Sequence, residues 1–385
     1  MPGWRRPVSA LIVVVLLVGV GYVVSQRGSS SAAPTRTTSS TTTSTTAVAV
    51  ATTSAPAPAP TTTATPAPTA TVTISAVGDT IPGNTPMLPP NAATYFSAVR
   101  DELRGDAQIV FANLEGTFTD ADGGKCDGAA PGTCYAFRLP PSHAANFAAA
   151  GFTVLNNANN HSFDFGPAGQ ADTVSAIHGA GMAQTGLPGQ VTVVEAGPVR
   201  VGMVGFATYP YAASFLEEPR ALALVAKAKQ QSDVVVVYMH AGAEGVDAQH
   251  VTGQDETYLG EDRGNPQSFA HKAIDAGASL VIASGPHVLR GMEFYRGHLI
   301  AYSLGNFAGY GNFAGGGVLD LSAILNVTLT ATGEFQSGRL IAVTLTGKGQ
   351  PKPGGRARAL IAQLSSEDFG PAAAQLAPDG TISPP

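Results

Sequence analysis

Thr71-Val72-Thr73-Ile74-Ser75-Ala76-Val77-Gly78-Asp79 is the stretch that decides how the chain is read. An uncharged, largely β-branched run stops at Gly-Asp, the pattern of a buried strand closed by a turn. The same pattern recurs downstream. Ala107–Ala112 runs into Asn113-Leu114-Glu115, and Phe152–Asn156 runs into Asn157-Ala-Asn-Asn-His161. The wholly apolar Val234–Met239 stops at His240, and Ser279–Ala283 stops at Ser284-Gly-Pro-His287. Helical patterns lie between them, near 92–104, 141–150, 167–179, 218–230 and 266–276. Short apolar strands alternating with such helices predict an α/β fold with a buried, largely parallel sheet. Val191–Glu195 and Val199–Phe206 face each other across Ala-Gly-Pro as a hairpin. The Gly-rich stretch 291–346 adds strands, and a last helix is expected near 356–364. The sheets are therefore mixed, and two of them stack between helices.

Upstream of Thr71 the composition is different. Val8–Val24 is a 17-residue apolar run, with Arg5-Arg6 before it and Ser25-Gln26-Arg27 after it. It exceeds the ~7–15 residues of a usual signal h-region and reads as an uncleaved signal-anchor. Small residues near Ser31–Ala33 leave a cleaved signal peptide open. The start amine and the segment beyond Arg36 orient the amino end inside and the bulk outside. Residues 28–70 are almost entirely Ser, Thr, Pro and Ala, so they have nothing to bury. They read as a spacer, O-glycosylated stalk or plain tether alike. The expected organisation is an anchor over 1–27, a linker over 28–70, a domain over 71–350 and a C-terminal extension over 351–385.

Charge narrows the function. The whole chain is only 12% charged, and its first 70 residues hold four arginines with no Lys, Asp or Glu. Taking those four from 21 basic residues leaves 17 against 27 acidic ones, a net of −10. No Lys/Arg run is present, which excludes a nucleic-acid binder relying on a basic face. Cys126 and Cys134 are the only cysteines, eight apart in a Gly/Asp/Pro-rich loop. Outside the cytoplasm they are expected to pair.

Five strands end in Asp79, Asn113/Glu115, Asn159-Asn160-His161, His240 and His287. In an open α/β sheet ligands bind beyond the carboxyl ends of the strands. Asp, Glu, Asn and neutral His are donors for Mn, Fe or Zn. One such residue reads as turn chemistry, but five in series do not.

These blocks resemble a known family. Val77-Gly78-Asp79, Ala112-Asn113-Leu114-Glu115, Asn159-Asn160-His161-Ser162-Phe163-Asp164-Phe165-Gly166, Gly285-Pro286-His287-Val288 and Tyr302-Ser303-Leu304-Gly305-Asn306-Phe307 are similar to those of CapA-type capsule-synthesis proteins. The resemblance covers about 71–312, and the stretch to 346 more loosely. It implies a calcineurin-like metallophosphoesterase sandwich of two mixed β-sheets flanked by helices. It also implies a membrane-anchored extracytoplasmic role in making or anchoring poly-γ-glutamate. Carried over residue by residue, it assigns metal ligation to Asp79, Asn113 or Glu115, Asn160, His240 and His287, and a general-acid role to His161. It fits incompletely. Ile81 and Gly285 stand where histidines are expected, and Asn113 where a bridging aspartate is expected. One divalent cation (Mn, Fe or Zn) is then the expectation rather than two.

The remaining polar residues have two readings each. Asp164 reads as a cap for the helix near Pro167 or as catalytic, Glu244 as an exposed loop carboxylate or as an acid/base or ligand, and Ser303 and Asn306 as site-lining or turn residues. Arg290, and less so Arg138, could hold a carboxylate-rich polymer. His143, His178, His250, His271 and His298 receive no role. Two functions follow. One is an accessory protein handling a polyanionic polyamino acid with its synthase subunits. The other is a metal-dependent hydrolase or transferase acting on an amide or phosphoester of the envelope.

Overall fold

A computed structural model describes residues 70–130, 132–313 and 315–385; the apolar run Val8–Val24 and residues 28–69 lie outside them. Among the described residues no helix is long and apolar enough to cross a membrane.

The first strand, Thr71–Thr80, sits inside a ten-stranded mixed sheet. On one side it pairs in parallel with Ile109–Leu114, which pairs with Val154–Asn156 and then Ala183–Thr185. On the other it pairs antiparallel with Leu321–Thr330, which continues into Phe335–Thr346. A second, six-stranded sheet has Val199–Phe206, Val234–His240, Leu280–Ser284 and His298–Ala301 parallel at its centre. Thr192–Ala196 and Met292–Tyr295 pair antiparallel at its margins.

Side-chain alternation assembles these sheets. Val72, Ile74 and Ala76 face Val201, Met203, Val234, Val236, Leu280 and Ile282 in one buried cluster between the sheets. The opposite face of the six-stranded sheet (Val235, Val237, Val281) packs under the helices Glu218–Gln231 and Pro266–Asp275. The opposite face of the larger sheet (Val77, Val110, Ala112) is covered by Phe147 and Ile177 from the helices Ala144–Ala150 and Gly166–Gly179. Each such fully buried Val contributes roughly 1.5–3 kcal/mol. The four-layer order explains why the central strands are apolar without alternation: both faces are covered.

Two expectations need revision. The helix expected over 92–104 is a turn of 3-10 helix, Ala92–Thr94, and a short helix, Arg100–Arg104. Tyr95, Phe96 and Val99 between them are buried in the core, so packing rather than helical periodicity sets this segment. Nor do residues 351–385 stand apart from the domain. Gln350–Pro353 and Thr381–Ser383 both pair with Phe335–Thr346, while Ile361 of the helix Ala357–Phe369 enters the inter-sheet core.

Candidate metal centre

Strand register builds the site. In the larger sheet Asp79 lies beside Asn113, which lies beside Asn156. In the facing sheet His240 lies beside Ser284. These two rows meet at the carboxyl ends of the strands. The close approach depends on glycines. A Cβ on Gly78 would stand 1.9 Å from the Gly305 carbonyl oxygen, whose acceptor serves the Asp79 amide at 3.0 Å.

Asp79, Glu115 and His240 are all fully buried and bring one ligand atom each to within 4.8 Å of one another. His287 closes the group, with Nε2 3.5 Å from Glu115 Oε1 and Nδ1 3.3 Å from Asp79 Oδ2. Its backbone is left-handed, at φ 60°, a conformation held only where the surroundings dictate it. Asn306 supplies part of that hold. Its Oδ1 meets His287 Nδ1 at 2.8 Å, and its Nδ2 donates to the His287 carbonyl at 3.1 Å.

Hydrogen-bond accounting separates ligands from scaffolding. Both oxygens of Glu115, Nε2 of His240 and Oδ1 of Asn160 are buried without a hydrogen-bond partner. A buried carboxylate left alone costs several kcal/mol, so it takes up either a proton or a cation. These donors are oxygen and imidazole nitrogen, the set that suits a divalent transition metal. Asp79, Glu115 and His240 fit such an ion, with His287 beside them.

Asn113 does not belong to that set. Its Nδ2 donates to Asp79 Oδ1 at 2.8 Å, and its Oδ1 accepts from Asn156 at 2.7 Å and Asn159 at 2.9 Å. Both lone pairs of the amide oxygen are taken. The metal role expected for Asn113 is therefore replaced by that of a hub orienting Asp79. The departures from a two-metal pattern are equally physical. Ile81 is fully buried in the helix-covered core. Gly285 has φ 118°, and a Cβ there would come within 3.0 Å of the Ala241 amide nitrogen. No histidine fits either place without rebuilding the site.

His161 is 7% exposed, and its Nδ1 lies 2.8 Å from Asp164 Oδ2. Asp164 is thus not a helix cap. Its side chain also accepts from the Phe137 amide at 2.7 Å, while the helix Gly166–Gly179 begins without a side-chain cap. With Nδ1–H given to Asp164, the imidazole presents Nε2 to the site. Phe137 packs 4.3 Å from His161, and Phe313 packs 5.0 Å from His287 and 6.0 Å from Phe137. These rings form an apolar wall linking the two histidines.

The three residues expected to bind substrate do something else. Arg290 is 1% exposed; its guanidinium forks onto Glu256 at 2.7 and 2.9 Å and donates to the Ala248 carbonyl. Ser303 accepts from the Gly305 amide as part of a turn, and Asn306 is spent on His287. Glu244 is not exposed either. It pairs with the buried Arg263 at 2.8 Å and stands 3.7 Å from His287 Nε2. Arg263 was not legible, because a lone arginine in Glu261-Asp-Arg-Gly264 has the look of a solvated loop. Lys125, whose Nζ lies 2.6 Å from Asp164 Oδ1, was hidden in the same way. Cys126 and Cys134 form the expected disulfide.

Electrostatics follow from burial. Desolvation pushes the Glu115 carboxyl well above its ordinary value, and the negative Asp79 beside it adds to this. Desolvation also holds His240 neutral by driving its pKa well below 6.5. Burial would raise Asp79 too, but the hydrogen bond and positive charge of His287, with the hydrogen bond from Ser284, hold it far below the usual carboxylate range. His161 is lowered by desolvation, against the pull of Asp164.

The model of the bacterial capsule synthesis protein PGA_cap family matches residues 73–310. The chain belongs to this family. It is 31% identical over 173 residues to the PGA biosynthesis protein CapA of Bacillus subtilis, covering 40% of this chain and 42% of that protein. To the capsule biosynthesis protein CapA of Bacillus anthracis it is 33% identical over 178 residues, covering 41% and 40%. A probable polyglutamine synthesis accessory protein of Mycobacterium tuberculosis is 29% identical over 264 residues, covering 62% and 64%. The PGA_cap chain thus spans about two fifths of the length of the Bacillus relatives and under two thirds of the mycobacterial one. Among solved structures, a hypothetical protein from Thermus thermophilus has a TM-score of 0.42 at 14% identity, covering 70% of this chain and 98% of that one. A 5'-nucleotidase precursor from the same organism has 0.39 at 15%, covering 77% and 59%.

Proposed function

We propose that this PGA_cap-family chain is an envelope protein of a poly-glutamate-type surface polymer, carrying a one-cation site that cuts or transfers an amide or phosphoester of that polymer or its envelope attachment. The observation that carries the reading is the buried cluster of Asp79, Glu115 and His240, in which Glu115 Oε1 and Oε2 and His240 Nε2 have no hydrogen-bond partner. Such a set is unfavourable unless something positive binds it. Val8–Val24 supports a membrane anchor, the Ser/Thr/Pro/Ala tract 28–70 a spacer, and the disulfide an oxidising exterior. The bulk of the chain then lies outside the membrane, with the polymer and its synthase subunits as partners.

Asp79, Glu115, His240, His287 and Asn160 would hold the cation. When bound, a divalent ion of the Mn, Fe or Zn type supplies Lewis acidity toward a carbonyl or phosphoryl oxygen. Asp164 fixes the tautomer of His161, so Nε2 is the atom that takes a proton from an attacking water and returns it to the leaving group. Phe137 and Phe313 exclude water from that side. Asn113 keeps Asp79 in place through its amide, and Asn306 does the same for His287.

The test is elemental analysis of the purified full chain beside a His240→Ala/Glu115→Gln variant. About one equivalent of Mn, Fe or Zn in the wild type and none in the variant is expected. Equal metal content in both, or none in either after soaking in divalent salts, overturns the reading.

A further inference from the structure

The loop closed by Cys126–Cys134 does more than staple the surface, because it ends on the general-acid pair. Lys125 immediately precedes the bridge, and its backbone amide donates to the Asp164 carbonyl at 2.7 Å. Its Nζ lies 2.6 Å from Asp164 Oδ1 and donates to the Asn160 carbonyl at 3.2 Å. The loop can lie this close because residue 124 is glycine. A Cβ there would already touch the Phe165 ring at 3.1 Å.

Lys125 is not consumed by these contacts. An ammonium has three donors, and its approach to His161 Nδ1, at 3.5 Å, is no hydrogen bond when that nitrogen gives its proton to Asp164. The side chain is 38% exposed, whereas Arg263 and Arg290 are each 1% exposed and locked in ion pairs with Glu244 and Glu256. Lys125, though paired with Asp164, therefore keeps one N–H on an exposed ammonium at the edge of the site, next to the residue that handles the proton. The acidic residues of the same loop do not cancel it. Asp122 and Asp127 line a separate hollow with Arg138, in which Lys125 takes no part.

We propose that Lys125 is the specificity residue of this site, binding a carboxylate of an anionic substrate chain next to the scissile bond, and that the Cys126–Cys134 bridge holds it there. This rests on the cation and His161 reading above and adds the substrate's charge to it. It also resolves a tension in the composition: a domain with net −10 receives an anionic chain through one placed cation and a metal ion, without a basic face.

The test uses the full chain loaded with Mn²⁺ and two fluorescent probes read by anisotropy. One is a tetramer of γ-linked glutamate, and the other is the same tetramer with every free carboxylate amidated. The wild type is expected to bind the charged probe more tightly. Lys125→Met should weaken that binding about tenfold and leave the amidated probe unaffected, while Lys125→Arg restores most of the loss. A Cys126→Ser/Cys134→Ser variant should shift in the same direction as Lys125→Met. Equal affinity of wild type and Lys125→Met for the charged probe overturns the proposal. So does a wild type that holds Mn²⁺ but binds neither probe, an outcome that leaves the cation site standing. A wild type without Mn²⁺ in the same samples removes the cation reading and this inference with it.

Discussion

Replacing Asn113 by aspartate tests whether the amide is a hub or a failed ligand. In the wild type its Nδ2 donates to Asp79 Oδ1 at 2.8 Å while its Oδ1 accepts from two asparagines. In Asn113→Asp a carboxylate would face a carboxylate at that separation. With both ionised, repulsion at an effective dielectric of ~20 is about 6 kcal/mol. The new group therefore takes up a proton and donates it to Asp79 instead. Holding an Asp protonated at pH 7, against an ordinary pKa of ~3.9, costs about 4 kcal/mol, and at pH 5 only about 1.5 kcal/mol. A raised folded-state pKa favours the fold at low pH and disfavours it as pH rises, so the penalty must grow with pH. An unfolding entropy of ~2.1 cal/mol/K per residue over the 315 residues from Thr71 onward converts these to a Tm loss of roughly 6 °C at pH 7 and 2 °C at pH 5. Calorimetry with a chelator present reads both values. A Tm unchanged at pH 7, or a loss independent of pH, would refute the hub and return Asn113 to the ligand set. Added Mn²⁺ should recover much of the loss, because a cation accepts the extra charge.

Asp164→Asn should leave metal content unchanged and lower turnover of a chromogenic γ-glutamyl anilide or phosphodiester by about 100-fold or more, since the amide no longer fixes the His161 tautomer. Metal affinity should rise with pH. Burial holds a proton on Glu115 well above its ordinary 4.5, and that proton must leave when a cation binds. Titration with Mn²⁺ between pH 5 and 8 checks this, and affinity that is flat or falls with pH contradicts it. In the metal-free chain the same group favours the fold below about pH 4.5 and loses that contribution as pH rises through its elevated pKa.

The fold was legible because its strands are buried on both faces. Val234–Met239 has no alternation to mislead, and each strand carries a polar residue where the apolar run stops. That rule alone located Asp79, Glu115, His240 and His287, which the structure brings together. It fails where a segment is held by packing from elsewhere. Tyr95, Phe96 and Val99 are spaced well enough for a helix, yet Tyr95 is anchored by aromatic contact to Tyr310 and Phe96 to Phe147, Phe152 and Phe307. Residues beyond 350 read as an appendage because sequence order says nothing about which edge a late strand rejoins.

What was not legible is which polar residue serves another. Asp164, Asn306 and Asn113 sit within motifs of the site, and from sequence they look like a helix cap, a site-lining or turn residue and a direct ligand. Their roles depend on partners 3, 19 and 34 residues away, set by strand register and loop return. An amide oxygen whose lone pairs are filled by two other amides has no capacity left for a metal, whatever its motif suggests. The opposite holds for Glu115. It is the carboxylate in this site that burial has stripped of every hydrogen-bond partner, and a carboxylate so placed has only a proton or a cation to turn to. The division between the two is therefore drawn by hydrogen-bond capacity. Asn113 cannot take a cation without releasing Asn156 and Asn159, and Glu115 remains charged only against a positive partner, a cation or a protonated His287.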